Sequence, residues 1–370
     1  MSNCDLFSLA TKGVQALSPY QPGKPIDELE REYGVTDIIK LASNENPLGP
    51  SKKVIAAIQN ELDELSRYPD GNAFSLKMAL AEKHAVEINQ VTIGNGSNDI
   101  LEILTRAFVT PEHEVVFSQH AFAVYPIVTQ AVGAKAVVVP AKDWGHDLDA
   151  MQQAITDKTR LIFIANPNNP TGTWLGKKAL SVFLQAIPEN VLVVLDEAYF
   201  EFADSDAGDY PNGIDWIKQY SNLIVTRTFS KAYGLAGLRV GYSVSNAQVA
   251  DILNRVRQPF NVNSLALRAA EVALSDIEYL ESGIQLNTQG MKQLTSAFND
   301  MSLDYIPSVG NFVCVNVGDC AMKVYDDLLY QGVIVRPVAN YEMPEYLRIT
   351  IGTKTENDRF INALKKVLNK

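Results

Sequence analysis

Apolar and polar positions fall in blocks along the chain, and the period changes from block to block. Val91-Thr92-Ile93, Glu114-Val115-Val116-Phe117, Ala134–Val139, Leu161-Ile162-Phe163-Ile164-Ala165, Val191–Leu195 and Leu223-Ile224-Val225 are short, nearly continuous apolar runs. Between them apolar residues recur every three or four positions, as in Ile100, Leu101, Ile103, Leu104, Ala107 and Phe108. Short apolar runs bounded by turn residues predict buried strands, and the wider spacing predicts amphipathic helices. Strand and helix patterns alternate over about 90–245, which predicts a mostly parallel sheet covered on both faces. A last strand, Leu238–Val244, is expected to run back beside it.

Ahead of this region, Ser51 is expected to cap a helix with Val54, Ile55, Ile58, Leu62 and Leu65 on one face, and a second helix is expected over about 75–87. The first forty residues are mixed. Leu17–Pro25 carries three prolines and a glycine and reads as an extended arm, followed by a short helix, Ile26–Gly34, and a strand, Ile38–Ala42. Beyond about 247 the pattern changes. One long helical stretch is predicted over 265–300, then an alternating strand at Asn311–Val317, strands at Val333–Arg336 and Tyr346–Ile351, and a final helix over 355–368. The expected organisation is an arm with part of a small domain at 1–42, a large domain at 43–260 and a small α+β domain at 261–370.

Composition narrows the function. The formal charge of −11 gives no general attraction to nucleic acid or to anionic membrane. No secretory signal pattern precedes Leu6, and no apolar run approaches the roughly 18–20 residues that span a bilayer. Cys4, Cys314 and Cys320 are scattered and odd in number, which fits a reduced, cytoplasmic protein. The four histidines form no metal-ligating pattern, so no metal site is expected.

The chemistry gathers where apolar runs stop. Gly94-Asn95-Gly96-Ser97-Asn98-Asp99 joins a strand to a helix, and the first N–H groups of a helix bind anions. The third glycine of a dinucleotide fingerprint is missing, as is the G-K-[ST] of a nucleotide P-loop. A connector turn is the alternative. Lys231 follows the run Leu223-Ile224-Val225, among glycines and small residues, and could form a Schiff base with an aldehyde. Thr228, Ser230 and Arg239 beside it could hold a phosphate. An aldehyde and a phosphate on one molecule point to pyridoxal 5'-phosphate. Asp196 ends another apolar run; it either faces the cationic ring of that cofactor or caps the next turn. Asn169 and Tyr199 could reach the ring hydroxyl, and Phe122 could stack on the ring or belong to the core.

These motifs stand in the order of a known family. Ser18-Pro19-Tyr20-Gln21-Pro22-Gly23-Lys24, Leu41-Ala42-Ser43-Asn44-Glu45-Asn46-Pro47, Arg67-Tyr68-Pro69-Asp70, the glycine turn at 94–99, Asn166-Pro167-Asn168-Asn169-Pro170-Thr171-Gly172, Asp196-Glu197-Ala198-Tyr199, the lysine motif at 230–239 and Leu347-Arg348-Ile349 cover nearly the whole chain. The chain resembles the fold-type I pyridoxal-phosphate transferases, and within them the histidinol-phosphate aminotransferase family. The resemblance implies an α/β fold with a mostly parallel sheet in the large domain and a smaller α+β domain. It implies that Lys231 holds pyridoxal 5'-phosphate and moves the substrate proton, that Asp196 faces the ring nitrogen, and that Asn169 and Tyr199 contact the ring oxygen. Ser97 and Asn98, Thr228, Ser230 and Arg239 would bind the phosphate, and Tyr68 would reach the phosphate of the other subunit of a homodimer. Phe122 stands where many relatives carry tyrosine, and Thr228 where serine is common. Arg348, Arg336, Tyr20 and Asn44 would bind substrate. The implied reaction is transamination of L-histidinol phosphate with 2-oxoglutarate. Transamination of aromatic amino acids is the nearest rival, followed by a lyase of the same fold and a non-catalytic cofactor-binding protein.

Overall fold

The computed structural model describes residues 4–20, 23–206 and 208–369. Gln21 and Pro22 of the arm motif lie outside the described residues. After a helix, Ile26–Tyr33, stopped by Gly34 in the left-handed region (φ 65°), comes β1 (Ile39–Lys40). Seven strands follow: β2 (Val91–Gly94), β3 (Glu114–Ser118), β4 (Lys135–Val139), β5 (Thr159–Ala165), β6 (Leu192–Asp196), β7 (Leu223–Thr228) and β8 (Gly241–Ser245). The remainder are β9 (Tyr305–Ile306), β10 (Phe312–Asn316), β11 (Val333–Ile334), β12 (Arg336–Pro337) and β13 (Tyr346–Thr350).

The large sheet has the order β2-β8-β7-β6-β5-β3-β4. Only β8 runs against the others, as the strand expected to return after the lysine motif. Side chains alternate faces along a strand, and each face of the sheet has its own core. Val193, Leu195, Val225, Ile162 and Ile164 join one cluster, which helices Lys52–Glu61, Phe74–His84, Lys177–Ala186 and Ser264–Ser275 complete. Leu192, Val194, Ile224, Leu161 and Phe163 join the other, under helices Ser97–Phe108, Val124–Ala131 and Ala247–Val256. The parallel strands β2, β5, β6 and β7 all deliver their carboxyl ends to one edge, where ligands bind in such sheets.

The small sheet, β12-β13-β10-β9, packs Val313, Val315, Leu347 and Ile349 onto Leu294, Phe298, Phe360 and Leu364. The same alternation turns Arg348 to the opposite face. β1 pairs in parallel with β11, so the segment before residue 42 joins this unit.

Three expectations are corrected. The helical stretch over 265–300 is two helices, Ser264–Ser275 and Ile277–Asp300, that break at Asp276. Asp276 is held by Lys53 Nζ at 2.7 Å, and the first helix packs on Lys52–Glu61 in the large unit. The run Val333–Arg336 splits between β11 and β12, which belong to different sheets. The helix from Ser51 buries Val54 and Ala57, while Ile55, Leu62 and Leu65 are 40%, 48% and 56% exposed. No helix among the described residues is long and apolar enough to cross a membrane.

Candidate active site

The carboxyl edge of the large sheet carries a pocket of about 230 Å³. Alternation places Ala165, Asp196, Thr226 and Thr228 on one face of their strands. Asp196, Thr228, Ser97, Asn98, Phe122, Asn169, Tyr199, Ser230, Lys231 and Arg239 all line the pocket, so ten of the sequence candidates meet there.

Asp196 is 4% exposed. It accepts from Tyr125 Oη on Oδ2 at 2.9 Å and from Thr226 Oγ1 on Oδ1 at 3.0 Å. No cation pairs with it among the described residues. Burial pushes its carboxyl above the usual range, against those hydrogen bonds. A buried carboxylate held by donors but left without a countercharge is suited to a cationic ligand.

An anion cradle adjoins it. Gly96, at φ 82°, turns the chain into helix Ser97–Phe108, and no side chain caps that first turn. The first N–H groups are therefore left for a ligand. A Cβ on Gly96 would stand 2.6 Å from Arg239 Nη2, so only glycine lets the guanidinium lie against the turn. Arg239 itself adopts φ 57° and donates to Ser230 Oγ at 3.3 Å. Thr228 Oγ1 accepts from the Ser230 N–H at 3.1 Å, which sets the Thr228 hydroxyl against the Ser230 backbone.

Lys231 Nζ donates to the Ser43 carbonyl at 3.1 Å. Burial lowers its amine to about 7, and Arg348 reinforces the shift. At neutral pH much of it is a free base and nucleophile. Burial raises the Tyr199 hydroxyl to about 12, and that hydroxyl accepts from Asn44 Nδ2 at 2.8 Å.

Arg348 is 6% exposed and no carboxylate pairs with it among the described residues. Its Nη1 donates to Asn169 Oδ1 at 2.6 Å and its Nη2 to the Ala42 carbonyl at 2.7 Å; Nε has no partner. Asn169 is thereby held through its oxygen, and its amide NH₂ has no acceptor among the described residues. Arg336 lies directly across the strand pair from Arg348. Tyr20 is beside it, with the Arg336 guanidinium 5.8 Å from the ring centre. These two line a second cavity, adjoining Ala123 and Asn340. Tyr68 is not in the pocket of its own chain: it is 83% exposed and stacks on Phe260 at 4.7 Å.

Sequence reasoning missed Tyr125, Thr226, Ser43 and Glu45 as site residues. Tyr125 sits three positions after Phe122, with the rings edge to face at 5.8 Å. Thr226 shares the face of Thr228 by strand alternation. Ser43 acts through its backbone carbonyl, for which a sequence carries no signal.

Comparison with known proteins places this geometry. The model of the family described as aminotransferase class I and II matches residues 36–364. Histidinol-phosphate aminotransferase 2 of Pseudomonas fluorescens strain Pf0-1 is 63% identical over 366 residues, covering 98% of each chain. Histidinol-phosphate aminotransferase 1 of Idiomarina loihiensis is 58% identical over 367 residues, 99% of this chain and 100% of that one. The crystal structure of histidinol-phosphate aminotransferase from Sinorhizobium meliloti in complex with pyridoxal-5'-phosphate superposes with a TM-score of 0.89 at 31% identity, covering 99% of both chains.

Proposed function

The chain belongs to the class I and II aminotransferases, and we propose that it moves an amino group from L-histidinol phosphate to 2-oxoglutarate, a step of histidine biosynthesis. The products are imidazole-acetol phosphate and L-glutamate. The cofactor is pyridoxal 5'-phosphate, and the residues present fit it. An uncompensated buried carboxylate, an uncapped helix turn beside an arginine, and a lysine amine lowered to about 7 surround one pocket. That convergence on Lys231 is the observation that carries the reading.

Bound there, pyridoxal phosphate supplies an electrophilic carbon for the substrate amine and a cationic ring that takes up the electrons of the breaking Cα–H bond. Lys231 would hold the cofactor and, once released, would be the base that takes the proton from the substrate Cα. Asp196 keeps the ring nitrogen charged. Asn169 and Tyr199 address the ring oxygen, and Phe122 covers a ring face. Ser97, Asn98, Thr228, Ser230 and Arg239 hold the phosphate, with Tyr68 of the partner subunit.

Arg348 and Arg336 bind the anionic groups of the substrates, with Tyr20 beside them and Asn44 fixing Tyr199. Like charges directly opposite on an antiparallel pair destabilise it. Two facing arginines therefore favour ligands rich in negative charge: a phosphate ester in one half-reaction and two carboxylates in the other. This speaks for histidinol phosphate and glutamate over phenylalanine or tyrosine.

We read the active form as a homodimer. Ile55, Leu62, Leu65, Phe74, Met78 and Phe260 are all at least 40% exposed, on and around helices Lys52–Glu61 and Phe74–His84. This apolar face carries Tyr68. Three scattered cysteines, odd in number, fit a cytoplasmic setting.

The test is a single-turnover spectrum of the holoenzyme. The visible cofactor band should vanish quickly with low concentrations of histidinol phosphate and slowly with phenylalanine. A faster reaction with phenylalanine would transfer the assignment to the aromatic aminotransferases.

A further inference from the structure

We infer that Glu45 reads the imidazole ring of the substrate and so sets the preference for histidinol phosphate over amino acids with an apolar ring. The inference rests on the function proposed above and deepens it.

Histidinol phosphate differs from phenylalanine at both ends. The phosphate has the arginine pair. The imidazole brings an N–H donor and, near neutral pH, a positive charge. A site that discriminates in its favour needs a matching acceptor, best a carboxylate.

Elimination leaves one. The pocket around Lys231 is lined by two carboxylates, Asp196 and Glu45. The adjoining cavity at Tyr20 and Arg336 is lined by none. Asp196 is buried, with both oxygens engaged by Tyr125 and Thr226. Glu45 stands at the pocket wall with its side chain 43% exposed. Its Oε1 accepts from Lys40 Nζ at 2.9 Å, and its Oε2 has no partner among the described residues. Glu45 is also close enough to Lys231 to raise the basicity of its amine, against the effect of burial.

The loop that carries Glu45 is fixed at nearly every residue, several times by the site itself. Arg348 holds the Ala42 carbonyl at 2.7 Å, and Lys231 holds the Ser43 carbonyl at 3.1 Å. Asn44, at φ 54°, donates its backbone N–H to Thr350 Oγ1 at 2.9 Å and its side-chain amide to the Tyr199 hydroxyl. Asn46 Nδ2 donates to the Ala232 carbonyl at 2.9 Å. Gly23 brings the same loop against the substrate arginine: a Cβ there would lie 3.6 Å from Ser43 Oγ and 3.9 Å from Arg336 Nη1. A carboxylate on so constrained a loop is preorganised for recognition.

The experiment compares wild type, Glu45→Gln and Glu45→Asp as holoenzymes. Single-turnover rate constants and apparent Kd values are read from the visible cofactor band, with L-histidinol phosphate and with L-phenylalanine. The starting band certifies an intact cofactor site in each variant. Any change in the basicity of Lys231 acts on both substrates, so the ratio of their specificity constants isolates recognition. That ratio should fall by roughly 10- to 100-fold in Glu45→Gln, the effect of one hydrogen bond to a charged group. It should recover in part in Glu45→Asp, and the loss should sit mainly in the apparent Kd for histidinol phosphate. A second measurement needs no variant: ring-methylated histidinol phosphate, in the isomer that blocks the donor facing Glu45, should lose a comparable factor on wild type. An unchanged ratio, or an equal loss for both substrates, would overturn the role of Glu45 while a wild-type preference for histidinol phosphate leaves the function standing. A wild type that prefers phenylalanine would remove both.

Discussion

Replacing Tyr125 with phenylalanine removes one oxygen from the deepest part of the site. Tyr125 is fully buried, and its hydroxyl donates to Asp196 Oδ2 at 2.9 Å. The ring stacks on Phe163 with centres 4.5 Å apart and planes 3° apart, so phenylalanine keeps the packing. Thr226 still donates to the other oxygen at 3.0 Å. A hydrogen bond to a charged group contributes about 1.5–3 kcal/mol, with a factor of ten for every ~1.4 kcal/mol. The ionised form of Asp196 should therefore weaken by roughly one to two powers of ten. Burial already raises the Asp196 carboxyl, and Tyr125 opposes that rise. Without the hydroxyl the carboxyl takes up a proton more readily, and a neutral acid cannot hold a cationic ring.

The assay is an equilibrium titration of apo-protein with pyridoxal phosphate, read on the visible band from about pH 5 to about pH 9. Binding to wild type should weaken as pH falls through the raised range of Asp196, because the free site binds a proton that the cofactor must displace. In Tyr125→Phe the cofactor should bind about tenfold more weakly at neutral pH, and the acid-side loss should begin at a higher pH. Parallel profiles with unchanged affinity would refute the claim that Tyr125 stabilises the charge on Asp196. A merely structural role would lower Tm without displacing the pH profile.

Two further outcomes follow from the same geometry. Lys231→Met should abolish turnover and raise the Tm of apo-protein. With its amine at about 7, the native state binds fewer protons than the unfolded chain between that value and the ordinary lysine value of 10.5, so the cost of Lys231 is full below about pH 7 and fades as pH rises towards 10.5. Water reaching the pocket screens that penalty, so the gain should be about 1–2 kcal/mol near neutrality and shrink as pH rises; a gain independent of pH would contradict this origin. Leu65→Glu, on the exposed apolar face, should convert dimer to monomer in sedimentation and weaken cofactor retention with it; an intact dimer would place the interface elsewhere.

The strands and the polar residues that end them were legible because both signals are local. A short apolar run closed by Asp196, or by the amides and prolines of 166–170, announces itself within a few positions. What escaped is set by distant partners. No proline within 265–300 marks a helix end; the break falls at Asp276, whose carboxylate meets Lys53, 223 residues away. Periodicity marked Ile55, Leu62 and Leu65 as a face to be covered but not what covers it, and one chain leaves them open. The Tyr125–Asp196 bond spans 71 residues and the Lys231–Ser43 bond 188, separations over which a single sequence carries no pairing signal.

The neighbours Asp196 and Glu197 show how the fold separates chemistry from stability. Strand alternation sends their side chains to opposite faces of the sheet. Glu197 is compensated there: Arg227 donates to its Oε2 from Nε at 3.0 Å and from Nη2 at 2.7 Å, and the Gly213 N–H donates to Oε1 at 2.8 Å. Arg227 has also Asn212 at 2.6 Å and the face of Phe200. A charge pair so fully satisfied has nothing left for a ligand. Among the described residues Asp196 receives only neutral donors, and Arg348, also buried, faces no carboxylate. A protein that buried both charges for stability alone could have paired them with each other or replaced them with apolar residues. Keeping them apart, on two units that meet at Lys231, leaves one negative and one positive deficit. On the proposed reading the resident cofactor ring neutralises the first, and the incoming substrate anion the second.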